Sequence, residues 1–147
     1  MIGVVLVAHM HIASETKAAV EYILQQQEAF VAVDVVNSDD VAVQSLAFHA
    51  ILKNMAQDCD AILVMTDIFG ATPCNMAIHV MMQGDIPVEM ELVAGFNIPS
   101  VIKAILERQH LSLEDLAQFS LDAGQKYLRL GSQEAVLKRM CANNKVA

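Results

Sequence analysis

At 147 residues, with 9 Lys and Arg against 17 Asp and Glu for a formal charge of −8, the chain fits one domain whose core needs no staples. That charge disfavours a nucleic-acid backbone as partner. Three cysteines at irregular spacing, Cys59, Cys74 and Cys141, suggest neither a disulfide framework nor a paired-cysteine metal knuckle, and no apolar run approaches the roughly 18 residues of a membrane span. With no positively charged leader either, direct membrane insertion is not expected and the expected localisation is cytoplasmic.

The chain opens on "IGVVLVA", residues 2–8, apolar throughout and β-branched in its middle, which predicts a strand buried on both faces. A helical pattern follows over 12–26, with Ala19, Val20 and Ile23 on one stripe. "FVAVDVV" at 30–36 is a second strand, and "NSDD" supplies cap-type residues before a helix over 41–57. "AILVM" at 61–65 is a third strand, followed by "TDIFGATP" and a short helix over 73–83, for which Thr72 is the expected N-cap and Pro73 the first helical residue. "MELVAGF" at 90–96 is a fourth strand, and after "NIP" comes a helix carrying Val101, Ile102, Ile105 and Leu106. Ser112 with Asp115 three places on resembles a capping box for a last long helix reaching Tyr127 or beyond.

Continuous apolar strands alternating with helices argue for one α/β domain over residues 1–130, with residues 131–147 as a tail that is either a short surface helix or packs on a neighbour. The expected architecture is a three-layer, open, doubly wound, mainly parallel sheet of order 2-1-3-4, with room for an added antiparallel edge strand. In such a sheet ligands bind beyond the carboxyl ends of the strands.

His9 directly follows the first strand and Asp67 the third, so in that strand order both rise at one switch point. A reactive histidine needs this company: one ring nitrogen attacks while a carboxylate holds the proton of the other. A lone histidine or aspartate at a strand end is more commonly a loop or turn residue, and it is the pairing that makes these two candidates for catalysis. "GATPCN" adds a helix start whose unpaired N–H groups, around Gly70, Ala71, Thr72 and Cys74, are candidates to hold a phosphoryl group. It is neither a Walker loop nor a dinucleotide fingerprint.

Met10, His11, Phe69, Asn97 and Pro99 are candidate rim residues. Each also has an ordinary reading: packing for Phe69, a turn and helix start for Asn97 and Pro99, a helix-start residue for His11. The Cys74 thiol reads first as a small apolar group on its helix. His9 and His11 with Asp67 and Cys74 have zinc-like ligand chemistry, but no third histidine lies at ligand spacing, since His49 and His79 fall inside expected helices. Neither a metal nor a cofactor is expected.

His9, Asp67 and the stretches "TDIFGATPCN" and "LVAGFNIP" resemble the enzyme IIA component of the mannose/fructose/sorbose family of the bacterial phosphoenolpyruvate-dependent sugar phosphotransferase system (PTS) over residues 2–128. The resemblance implies that His9 receives a phosphoryl group from the phosphohistidine of the small carrier HPr and passes it to a histidine of a separate IIB component, with the membrane IIC and IID components acting later. It also implies that Asp67 bonds His9, that Thr72 lies near the phosphoryl group, and that the chain forms a homodimer through the sheet edge and the C-terminal region. Ala8 and Met10 flank His9 where relatives often carry small or polar residues, and Ala71 replaces a frequent glycine, a mild change if its φ is below zero. "HMH" matches an "HGH"-like pattern of part of the family. Two other roles stay open: a phosphocarrier subunit serving a dihydroxyacetone kinase, whose domain would look very similar, and a non-catalytic regulatory module, which would keep the fold but lack His9 or Asp67, both present here.

Overall fold

The first strand, β1 (Ile2–His9), is buried along nearly its whole length, and Val4 to Ala8 are inaccessible to solvent. In the computed structural model, which describes residues 1–36, 40–135, 138 and 139, it is flanked by β2 (Phe30–Val35) on one side and β3 (Ala61–Thr66) on the other, and β4 (Glu89–Ala94) completes the order 2-1-3-4. All three pairings are parallel. This is the expected order, and among the described residues the sheet has these four strands without the antiparallel edge strand for which the sequence left room.

Because side chains alternate across a strand, β1 feeds two cores. Val4, Leu6 and Ala8 pack with Ala13, Val20, Val101, Ala104 and Leu116, under α1 (Ile12–Leu24), α4 (Ile98–Glu107) and α5 (Leu113–Lys126). Val5 and Val7 pack with Phe48, Leu52, Met76 and Val80 of α2 (Val41–Met55) and α3 (Thr72–Met82) on the other face. Each fully buried aliphatic side chain contributes roughly 1.5–3 kcal/mol, so the sheet is secured from both sides. The amino edge is tied as well: the N-terminal ammonium meets Asp60, and buried Arg108 donates to the carbonyls of Glu28 (2.7 Å) and Ala29 (3.1 Å).

Several boundaries differ from expectation for local reasons. Helix α1 stops at Leu24 because Gln25 turns left-handed (φ 65°). Helix α2 ends at Met55 rather than near residue 57, and its N-cap Asp40 makes no side-chain capping bond; Asn37, Ser38 and Asp39 lie outside the described residues. Strand β4 ends at Ala94, where Gly95 (φ 83°) lets the N–H groups of Gly95 and Phe96 both donate to the Thr66 carbonyl, at 2.8 and 3.2 Å. Ser112 caps α5 as expected, accepting from the Asp115 N–H. In the tail, Gly131–Gln133 forms a single 3-10 turn; residues 136, 137 and 140–147, Cys141 among them, lie outside the described residues.

Candidate active site

His9 is the last residue of β1, and by the alternation of that strand its side chain continues the row of Val5 and Val7 toward the α3 face. Val7 pairs with Thr66 at the end of β3, so Asp67 emerges beside it. Asp67 Oδ2 lies 2.8 Å from His9 Nδ1 and also accepts the His9 backbone N–H at 3.1 Å. Its other oxygen accepts from the Ile68 N–H at 2.9 Å. The Asp67 side chain is only 9% exposed, whereas that of His9 is 36% exposed.

Burial pushes the Asp67 carboxyl up, but the His9 ring, the His9 N–H and the Ile68 N–H together outweigh it and hold the group below its ordinary value. Asp67 is therefore an anion at neutral pH and can only accept. The proton of a neutral His9 ring then sits on Nδ1, which leaves the lone pair on Nε2.

The segment after Asp67 turns at Gly70, whose φ of 78° suits glycine. Ala71 follows at φ −81°, ψ 173°, so a residue with a Cβ sits there without strain. Ala71, not Thr72, is the N-cap of α3: Thr72 is already the first helical residue, Pro73 the second, and no side chain caps the helix. The first intrahelical bond runs from the Asn75 N–H to the Ala71 carbonyl at 2.9 Å. Helix geometry thus leaves the N–H groups of Thr72 and Cys74 without intrahelical acceptors. Asn75 Nδ2 steadies the turn by donating to the Gly70 carbonyl at 2.8 Å. The Cys74 thiol is fully buried and faces the core, so only its backbone is placed to meet an anion.

The rim residues divide. Met10, which follows His9 in the chain, and Ile68 and Phe69, which follow Asp67, are apolar yet exposed at 55%, 56% and 77%. Asn97 caps α4 instead, in a capping box with Ser100, and its amide donates to the Gly124 carbonyl at 2.9 Å. Its polar atoms are committed to the scaffold, and Pro99 is the second residue of that helix. His11 turns away from Asp67 and bonds Asp34 Oδ2 at 3.1 Å. Among the described residues, no three His, Cys, Asp or Glu side chains gather as a metal-holding group, and no helix is long and apolar enough to cross a membrane.

Two features escaped sequence reasoning. Asp34 carries a row of polar contacts at the end of β2, and its only signal was a charge inside the apolar run "FVAVDVV". Met10 adopts a left-handed φ of 51°, for which nothing in a methionine gives notice. A cavity of about 690 Å³ lies toward the amino ends of the strands, among Met1, Glu28, Val31, Ile51 and Cys59. It does not touch the site.

Comparison with known proteins bears on this arrangement directly. Residues 3–121 match the family described as the PTS system fructose IIA component. The PTS system fructose-specific EIIA component of Bacillus subtilis (strain 168) is 27% identical over 116 residues, which cover 79% of this chain and 77% of that protein. The mannose/sorbose specific IIA subunit from Enterococcus faecalis superposes with a TM-score of 0.70 at 28% identity, covering 87% of this chain and 92% of that one. The phosphotransferase system component EIIA from Streptococcus agalactiae has a TM-score of 0.78 at 22% identity, covering 91% and 100%, a likeness of fold. A family match over most of the chain goes beyond fold: this chain belongs to the mannose-type EIIA family of the PTS and is a phosphotransferase component that takes a phosphoryl group from HPr on a histidine and passes it to IIB.

Proposed function

We propose that His9 is the histidine that carries the phosphoryl group, through Nε2. The observation that carries this reading is the 2.8 Å bond between His9 Nδ1 and the buried Asp67 carboxylate, because it commits one nitrogen and leaves the other as a half-exposed nucleophile. The Nε2 lone pair attacks phosphorus in line as the P–N bond of phospho-HPr breaks, and the HPr imidazole leaves with that electron pair. Asp67 stabilises the positive charge that develops on the His9 ring. The N–H groups of Thr72 and Cys74, the Thr72 hydroxyl and the N-terminal end of the α3 dipole are the groups we assign to the phosphoryl oxygens. Transfer to IIB is the same displacement with His9 Nε2 as the leaving group.

Met10, Ile68 and Phe69 offer an apolar docking fringe for both protein partners. A cytoplasmic homodimer fits the same reading. Two features support the homodimer: the outer edges of β2 and β4, which no strand pairs among the described residues, and the exposed Tyr127, Leu128 and Leu130 leading into residues 131–147. Incubation with phosphoenolpyruvate, enzyme I and HPr should add one acid-labile, alkali-stable phosphoryl group per chain. Label that survives His9→Ala would end the assignment. Sedimentation at micromolar concentration that returned only the 16.0 kDa monomer would end the homodimer.

A further inference from the structure

We propose that Asp34 is a positioning residue for His9: with His11 and Ser14 it clamps the segment that leaves β1 and holds Met10 in its strained conformation. The inference rests on His9 being the nucleophile.

The clamp has an unusual source. Helix α1 has His11 as its N-cap, yet the His11 side chain makes no capping bond. The acceptor that a local Ser or Asp would supply to the third helical N–H comes from another strand: Asp34 Oδ1 takes the Ser14 N–H at 3.0 Å. Asp34 Oδ2 takes the Ser14 hydroxyl at 2.6 Å and His11 Nδ1 at 3.1 Å. Burial pushes the Asp34 carboxyl up, and the bonds from Ser14 and His11 outweigh it, so the group stays ionised and accepts throughout. A helix capped from within its own sequence would gain the same stability without fixing the loop before it. Borrowing the cap from β2 ties the start of α1 to the strand that pairs with β1, since Ala8 is registered against Asp34 and His9 against Val35.

Between these anchors sits Met10. A long side chain at φ 51° is sparsely populated and costs on the order of a backbone strain term that relaxes unless neighbours hold it. Here the Met10 N–H donates to the Val35 carbonyl at 3.0 Å. One residue earlier, Asp67 grips both the N–H and the ring of His9 on the α3 side of the sheet. One residue later, Asp34 grips His11 on the α1 side, because Ala32 and Phe30 of the same row of β2 belong to the core under α1. Two carboxylates from the two neighbours of β1 thus fix the peptide on either side of the strained residue, and the direction of His9 Nε2 follows from both.

The test is single-turnover phosphoryl transfer from phospho-HPr to the full chain at increasing phospho-HPr, with folding checked by circular-dichroism melting. Asp34→Ala should lower the saturating rate by about tenfold or more while the half-saturating phospho-HPr concentration stays within about twofold. Met10→Gly, which adopts the left-handed conformation without strain, should help the Asp34→Ala background by about fivefold relative to its effect in the parent protein. Loss of the methionine side chain from any docking contact is common to both arms and cancels. If Asp34→Ala does not fold, Ser14→Ala, which removes the hydroxyl bond to Asp34, replaces it in the same cycle. A parent-like rate in folded Asp34→Ala, a change confined to half-saturation, or an identical Met10→Gly effect in both backgrounds would each overturn the clamp. His9→Ala in the same assay separates the two claims: retained label defeats the reading of His9, whereas lost label with an unaffected Asp34→Ala defeats the clamp alone.

Discussion

Two histidine–aspartate pairs in this molecule have the same 2.8 Å separation and opposite prospects. At the carboxyl end of the sheet, His9 uses Nδ1, its partner Asp67 is 9% exposed, and the outer nitrogen is left open. On the helical surface, His49 of α2 reaches Asp85 with Nε2, the outer nitrogen itself, and Asp85 is 45% exposed and shared with Lys53 at 2.7 Å. Lys53 first, then His49, hold Asp85 down to about 2. A short imidazole–carboxylate contact therefore does not make a nucleophile. What matters is which nitrogen is committed and whether the carboxylate serves that ring without a competing cation.

The largest effect that tests this contrast is loss of the acceptor. His9→Ala should abolish phosphoryl acceptance, and His49→Ala should leave it near the parent level, both measured as label per chain after transfer from phospho-HPr. Comparable losses in both variants would erase the distinction. Next in size is the orienting carboxylate: Asp67→Asn should slow transfer by about a hundredfold or more, since an amide cannot stabilise the forming cation and permits the wrong tautomer. Asp85→Asn should stay within about twofold. Rapid-quench kinetics on the two variants would show it.

The smallest effect is on stability in acid. The folded-state value of Asp67 lies below its unfolded value of about 3.9, so its contribution is present above that pH and is lost as pH falls through the folded value. Urea unfolding from pH 5 downward should accordingly show a shallower acid loss in Asp67→Asn than in the parent. Asp85 has the same sign, with its contribution fading from about 3.9 toward about 2, but its exposure leaves it open to screening. In 1 M salt the difference between the parent and Asp85→Asn should vanish while that for Asp67→Asn persists.

Much of the sheet was legible because β1 and β3 are buried on both faces and their sequences are apolar without interruption. That pattern, with helices between, pointed to a doubly wound parallel sheet, and the order 2-1-3-4 common to such sheets sets His9 and Asp67 at one switch point. Features set by long-range geometry were not legible. Thr72 has the chemistry of an N-cap, but the turn at Gly70 delivers the chain one residue earlier and Ala71 takes the place. Asn97 looks like a rim residue until Gly124 of α5 comes within reach of its amide. Arg108 was not singled out in the sequence, and folding buries it against two carbonyls from the turn before β2. Asp34 was passed over although it is a charge in an apolar strand, because its partners come from another element.

Phosphoryl acceptance turns on which nitrogen of His9 is free, so the most direct measurement is phosphorus–nitrogen correlation NMR of the phosphorylated, histidine-labelled protein under alkaline conditions. The expected result is a single phosphohistidine, at His9, with phosphorus on Nε2 and the proton of Nδ1 retained toward Asp67. Phosphorus on Nδ1 of His9, or on His11 or His49, would contradict it.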